Sequence, residues 1–204
     1  MLQKAIFFDR DGVLTKEGGK PVREHDLKIY SEAFDALKII PNNFKKIIFT
    51  NQAWVEKGLM TEEEVNKTHR KLQQEFRKQD VVIDGIYICP HMDAHNCACR
   101  KPKPGMLLQA QKEHLIDLGQ SYVIGDMLRD LVAGKEAGCT TILVMTGHAG
   151  KDKQYALEPD FVAKNVYEAV QLILHQEKKE SMREKKKGSK LEQYERKGGR
   201  GEDE

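Results

Sequence analysis

An α/β domain built on a doubly wound parallel sheet is what this sequence predicts, on three observations. Five short apolar runs recur along the chain, they are continuous rather than alternating, and segments of helical periodicity separate them. Continuous apolar runs are what strands buried on both faces of a parallel sheet require. The strand, helix, strand alternation calls for right-handed crossovers that place helices on both faces. At 204 residues the chain has the length of one domain with a single core.

The runs are Ala5 to Phe8, Ile47 to Phe49, Ile86 to Ile88, Tyr122 to Ile124 and Ile142 to Met145. Ahead of the second run, Ser31 is placed to cap a helix carrying Phe34, Leu37 and Ile40. Thr61-Glu62-Glu63-Glu64 reads as a capping box that opens a helix with Val65, Leu72 and Phe76 on its apolar stripe. His69 falls on that stripe and reads as a core or boundary histidine. Later helices are expected near Gly105, near Asp130 and near Asn165, the last with Val166, Val170 and Ile173. Apolar periodicity stops after His175, so residues 1–175 form the expected domain. Residues 176–204, mostly Lys, Glu, Arg and Gly, read as a charged tail that is disordered or a fraying helix.

Charge narrows the function classes. The tail holds 10 of the 34 basic and 8 of the 32 acidic residues, leaving 24 of each in residues 1–175. A neutral body gives no electrostatic argument for a nucleic-acid surface, and any such case has to rest on the tail. No apolar run approaches the ~18 residues of a membrane span, and the first apolar stretch meets Asp9-Arg10-Asp11 too soon to be a secretory signal. A cytoplasmic monomer is the expectation, and its four cysteines should then be reduced.

Ligands of doubly wound sheets bind beyond the carboxyl ends of the strands, so the residues that come after each run carry the functional reading. The first run ends in Asp9-Arg10-Asp11-Gly12. Carboxylates at i and i+2 of an extended segment face one side, and two so close repel each other unless one is protonated or a cation is present. Magnesium, which takes hard oxygen ligands together with substrate phosphate, would relieve that conflict. The fourth run supplies a further ligand in Gly125-Asp126, with Asp130 four residues on. Thr50-Asn51-Gln52 ends the second run with a hydroxyl and two amides suited to phosphoryl oxygens. Arg100-Lys101-Pro102 places positive charge on a proline-stiffened segment.

Three cysteines crowd between Cys89 and Cys99. Cys89, His91, Cys97 and Cys99 make a C-x-H-x5-C-x-C arrangement, and three thiolates with one imidazole are a structural zinc set with no open coordination position. His95 is an alternative to His91, with the Cys-Pro-His spacing favouring His91. Such a zinc would fix the backbone that presents Arg100 and Lys101. Cys139 reads as a small core residue.

Asp9-x-Asp11-Gly12, Thr50-Asn51-Gln52, Lys101 and Gly125-Asp126-x-x-x-Asp130 together resemble the four ordered motifs of the haloacid dehalogenase-like (HAD) phosphatases, over roughly residues 4–150. The resemblance implies a Rossmann-like HAD fold, with Asp9 as nucleophile, Asp11 as general acid and base, and Thr50 and Lys101 on the phosphoryl oxygens. It also implies magnesium held by the Asp9 carboxylate, the Asp11 carbonyl and Asp126, with Asp130 orienting Lys101 or a metal-bound water.

The cysteine loop ahead of Arg100-Lys101-Pro102 is similar to that of the D-glycero-D-manno-heptose 1,7-bisphosphate phosphatases and their histidinol-phosphatase relatives, which carry no large cap domain. That resemblance implies a sugar phosphate substrate recognised by Arg100, Asn51 and Gln52. Three features differ from the heptose enzymes. Ala53-Trp54 stands where they carry Ser-Gly, Gly18-Gly19-Lys20 replaces a His-Gly-Tyr-like segment, and the zinc loop is shorter. Trp54 either stacks on a substrate ring or packs. The residues also allow three other readings: histidinol-phosphatase, nucleic-acid 3′-phosphatase, or a non-catalytic zinc-stabilised scaffold whose tail binds a partner.

Overall fold

Every strand of the sheet runs parallel, in the order β3-β2-β1-β4-β5-β6, in a computed structural model that describes residues 2–16, 19–152 and 154–198. The strands are β1 (Lys4–Phe8), β2 (Phe44–Asn51), β3 (Gly85–Cys89), β4 (Tyr122–Gly125), β5 (Thr140–Val144) and β6 (Phe161–Ala163). Between them lie α1 (Ser31–Lys38), α2 (Glu62–Arg77), α3 (Gly105–His114) and α4 (Leu128–Glu136), and α5 (Val166–Gly198) comes last. Contacts divide the chain into two units, Met1–Val170 and Gln171–Glu204. The second unit continues α5 past the 175/176 boundary expected from sequence, and residues 199–204 of the tail lie outside the described residues, as does Gly18. No described helix is long and apolar enough to cross a membrane.

The strand order reverses between β1 and β4, which pair with Ile6, Phe7 and Phe8 opposite Tyr122, Val123 and Ile124. A crevice opens at the carboxyl ends at such a reversal. Side chains of alternate strand residues serve opposite faces. Ala5 and Phe7 join Ile47, Phe49 and Val123 in a core with Met106, Leu107 and Ala110 of α3 and Leu131 and Ala133 of α4. Ile6 and Phe8 are buried as completely on the other side. This double burial explains why the strands read as unbroken apolar runs.

Two local expectations are revised. Ser31 does not cap α1: Tyr30 holds the cap position without a side-chain bond, and the Ser31 hydroxyl donates instead to Glu32. A sixth strand joins the five expected: three of its residues pair with β5, and Val162 stays exposed at the sheet edge. The capping box of α2 forms as read, with the Glu64 N–H donating to Thr61 Oγ1 at 3.1 Å and the Thr61 N–H donating to Glu64 Oε2 at 2.8 Å. Thr61→Ala removes half of this box and is expected to cost about 1 kcal/mol, read as a Tm lower by a few degrees in thermal unfolding.

Candidate active site

β1 ends at Phe8 and delivers Asp9 into the crevice, where the Asp9 N–H still donates to the Ile124 carbonyl of β4 at 3.0 Å. The sheet ladder therefore fixes the backbone of this residue. Its Oδ1 accepts from the Arg10 N–H at 2.7 Å and from Lys101 Nζ at 2.9 Å. Lys101, 2% exposed, also reaches Asp130 Oδ1 at 2.7 Å and the Phe49 carbonyl at 3.1 Å, and lies over the Phe49 ring at 4.3 Å. Burial opposes the charge on Lys101, but Asp130 and Asp9 outweigh it and raise its pKa above the ordinary lysine value. Asp9 is pushed up to about 7, chiefly by burial, with Asp130 and Asp11 adding repulsion that Lys101 only partly offsets.

Asn51, at the end of β2, ties the lysine's backbone in place. Its Oδ1 accepts from the Lys101 N–H and its Nδ2 donates to the Lys101 carbonyl, both at 3.2 Å. The Lys101-Pro102 peptide is cis. Asp130 sits one turn into α4 and accepts from the Met127 N–H at 3.1 Å.

Asp126 is fully buried, and its Oδ2 accepts from the His148 N–H at 2.7 Å. The carboxylate lies against backbone on two sides. A Cβ added at Gly12, where φ is +86°, would fall 2.2 Å from Asp126 Oδ2, and one at Gly147, where φ is +56°, would fall 2.1 Å away. Glycine is needed at both positions for space as well as for conformation.

Asp9, Asp126 and Asp130 each offer a carboxylate oxygen within 4.8 Å of the others. Three buried acids facing one lysine make an oxygen-rich, electron-rich set that fits magnesium. The Asp11 carboxylate stands outside this group. Its Oδ1 accepts from Arg10 Nε at 3.0 Å and Thr15 Oγ1 at 3.0 Å, and its Oδ2 from Arg10 Nη2 at 2.6 Å and Gln52 Nε2 at 2.9 Å. Burial alone would raise the Asp11 pKa; the Arg10 guanidinium and these hydrogen bonds override it and lower it.

The cavity above these residues has a volume of about 230 Å³. Of the residues singled out from sequence, Asp9, Asp11, Thr50, Asn51, Arg100, Lys101 and Asp130 line it, as do Ala53 and Trp54. Gln52 and Asp126 do not. Gln52 is 1% exposed and donates its amide to Asp11 Oδ2 at 2.9 Å and to Thr50 Oγ1 at 3.0 Å. Lys57, Met127, Arg129 and His148 complete the wall and were missed. Charged residues such as Lys57 in its loop and Arg129 in the first turn of α4 carry no spacing signal that sets them apart from ordinary solvated lysines and arginines. Lys57 Nζ stands 4.7 Å over the Trp54 ring, so the tryptophan is a wall of the site.

The cysteine loop joins this wall through Arg100, whose Nη1 donates to the His91 carbonyl at 2.9 Å and whose Nε pairs with Asp93. Cys89, His91, Cys97 and Cys99 converge, with ligand atoms 3.3 to 3.7 Å apart along four of the edges. A tetrahedron with bonds of ~2.3 Å has edges of about 3.8 Å, so the set fits zinc. His95 is not among the four. It stacks on the His91 ring at 4.1 Å and faces Glu56. Cys139 is a buried core residue, as its place beside β5 suggested.

A parallel sheet that carries a buried acid, lysine, acid cluster at its strand-order reversal defines the class of a metal-assisted phosphoryl-transfer enzyme. Comparison with known proteins sharpens this. A sequence profile of the HAD-hydrolase-like family matches residues 98–169. The chain is 39% identical over 136 residues to the D-glycero-beta-D-manno-heptose-1,7-bisphosphate 7-phosphatase of Helicobacter pylori strain 26695, covering 66% of this chain and 79% of that protein. It is 37% identical over 146 residues to the D-glycero-alpha-D-manno-heptose-1,7-bisphosphate 7-phosphatase of Campylobacter jejuni, covering 71% and 84%. Among solved structures, the D,D-heptose 1,7-bisphosphate phosphatase of B. bronchiseptica, complexed with magnesium and phosphate, superposes with a TM-score of 0.79 at 29% identity, covering 85% of this chain and 99% of that one. The chain belongs to the HAD-like phosphatases, in the family of the heptose-1,7-bisphosphate phosphatases.

Gly12→Ala drives a methyl group into the Asp126 carboxylate. We expect kcat to fall about a hundredfold, the scale of a 1 Å displacement of reacting groups, measured as phosphate release by the folded variant.

Proposed function

We propose that the chain is a magnesium-dependent phosphomonoester hydrolase that removes the 7-phosphate of a heptose 1,7-bisphosphate through a phosphorylated Asp9. The observation that carries this reading is the Asp9, Lys101, Asp130 cluster at the base of a cavity whose upper wall carries Lys57, Arg100 and Arg129. One phosphate would meet Asp9 and Lys101, and the cationic wall suits a second. The named relatives divide between alpha and beta anomers at 37% and 39% identity, so the anomer is left to the assay.

Both bonds to Asp9 fall on Oδ1, which leaves Oδ2 as the attacking oxygen. As the Asp9 oxygen to phosphorus bond forms, the bond from phosphorus to the sugar oxygen breaks, and Asp11, after exchanging one of the four hydrogen bonds it accepts for a proton, supplies the proton that this oxygen takes. Water then attacks the phosphorus, its proton passes to Asp11, and inorganic phosphate leaves a regenerated Asp9 carboxylate. Thr50 and Lys101 hold the phosphoryl oxygens where negative charge builds. Magnesium, bound by Asp9, the Asp11 carbonyl and Asp126, would neutralise phosphoryl charge and hold the phosphate in line. Asp130 would keep Lys101 in place and ionised. Asn51 and Arg100 would recognise substrate, whereas Gln52, also expected to do so, would act by steadying Asp11.

Zinc held by Cys89, His91, Cys97 and Cys99 would be structural, and its loop would fix Arg100 through the His91 carbonyl. The enzyme would be monomeric and cytoplasmic, as expected from the sequence.

The test is phosphate release, with magnesium, from both anomers of the heptose bisphosphate, histidinol phosphate and a 3′-phosphorylated oligonucleotide. One heptose anomer should lead by orders of magnitude in kcat/KM; a lead by either of the other two substrates overturns the assignment. Asp9→Asn should lower turnover by roughly 10⁴-fold or more while circular dichroism stays that of the wild type. Cys97→Ser should lower the zinc content and reduce activity. An unchanged zinc content and Tm would remove the metal site from the account.

A further inference from the structure

Arg10 is the largest of the fully buried side chains, at 1% exposure, and no step of the proposed reaction uses it. A buried guanidinium persists only where its N–H groups find acceptors. Two of them form a fork on Asp11, Nε to Oδ1 at 3.0 Å and Nη2 to Oδ2 at 2.6 Å. A third, on Nη1, lies 3.0 Å from Nε2 of His69, a buried residue on the apolar stripe of α2.

Guanidinium groups only donate, so His69 Nε2 must accept, and the imidazole is neutral with its proton on Nδ1. That Nδ1 is buried and has no hydrogen-bond partner. Burying a polar N–H without a partner is costly, so a histidine serving only as core filler would be poorly placed here. The contact with Arg10 is the polar bond this imidazole makes from the helix, and it spans 59 positions of sequence to the motif that carries Asp9 and Asp11. The fork approaches Asp11 from the side, Thr15 and Gln52 take its remaining lone pairs, and the carboxylate has one orientation at the cavity wall.

We infer that Arg10 and His69 are positioning residues for the reaction, with His69 seating the Arg10 fork that fixes the orientation of the Asp11 side chain at the cavity wall. This rests on the proposed phosphatase function. It assigns a purpose to a helix residue that touches neither substrate nor metal.

Three variants test it on the full chain, with heptose bisphosphate and magnesium, each assayed for kcat and KM separately. In His69→Leu the Arg10 Nη1 loses its acceptor, and kcat should fall about ten- to a hundredfold with KM within twofold of wild type. His69→Gln places a carbonyl oxygen near the position of Nε2 and should recover most of kcat. His69→Asn, whose amide stops short at the Nδ1 side, should behave as His69→Leu, and it carries the comparison if the leucine variant does not fold. A kcat unchanged in the leucine and asparagine variants overturns the inference, as does a glutamine variant no better than asparagine. Loss appearing in KM alone also contradicts it, because that would mark a distortion of the binding wall. A wild-type chain inert toward every phosphate ester would sink the functional reading, and with it this one.

Discussion

Two buried carboxylates, Asp9 and Asp130, share one buried ammonium, that of Lys101, and the rest of the site is built around these three charges. Three such groups are tolerable away from water only because each is within 2.9 Å of its counter-charge. A third acid, Asp126, stands close enough to compete, and the sum favours a divalent cation. Everything that approaches the cluster serves its geometry. The β1 to β4 ladder fixes Asp9, the start of α4 fixes Asp130, and the Asn51 amide fixes Lys101. Gly12 and Gly147 clear the volume that Asp126 fills.

The lysine also connects the cysteine loop to the crevice, the link that the sequence suggests. Lys101 comes directly after Cys97, Cys99 and Arg100, so a metal that closes the loop also sets the path of the chain into the crevice. Arg100 reports on both ends of that connection, since its guanidinium binds the His91 carbonyl and the Asp93 carboxylate while it lines the cavity. In physical terms the loop stiffens a segment that must hold two cationic side chains near a highly charged ligand. Preorganisation of this kind removes reorganisation cost at the moment of reaction.

Much of this was legible in the chain. Strand ends carry the ligands of a doubly wound sheet, so the residues just past each apolar run already mark Asp9, Asp11, Thr50 and Asp126, and the loop after the third run marks Lys101. The side chains not legible were those whose direction depends on tertiary contacts. Gln52 stands beside Asn51 in sequence, yet one side chain binds the Lys101 backbone and the other turns inward to Asp11. Arg10 sits between two acids in a motif that assigns it no role, and only the packing of α2 shows that His69 receives it. β6 is an edge strand whose Phe161 and Val162 are not buried, so it lacks the two-sided burial by which the other strands are read, and Ser31 fails as a cap because its hydroxyl found a closer partner in Glu32.

Covalent participation of Asp9 is the central claim, and it can be read at a single residue. Acid-quenched enzyme taken during turnover of heptose bisphosphate with magnesium, reduced with borohydride and digested, should contain homoserine at position 9, because borohydride reduces an acyl phosphate to the alcohol. The same treatment without substrate should leave aspartate there. Homoserine at Asp11, Asp126 or Asp130, or none at any position while phosphate is being released, would contradict the account.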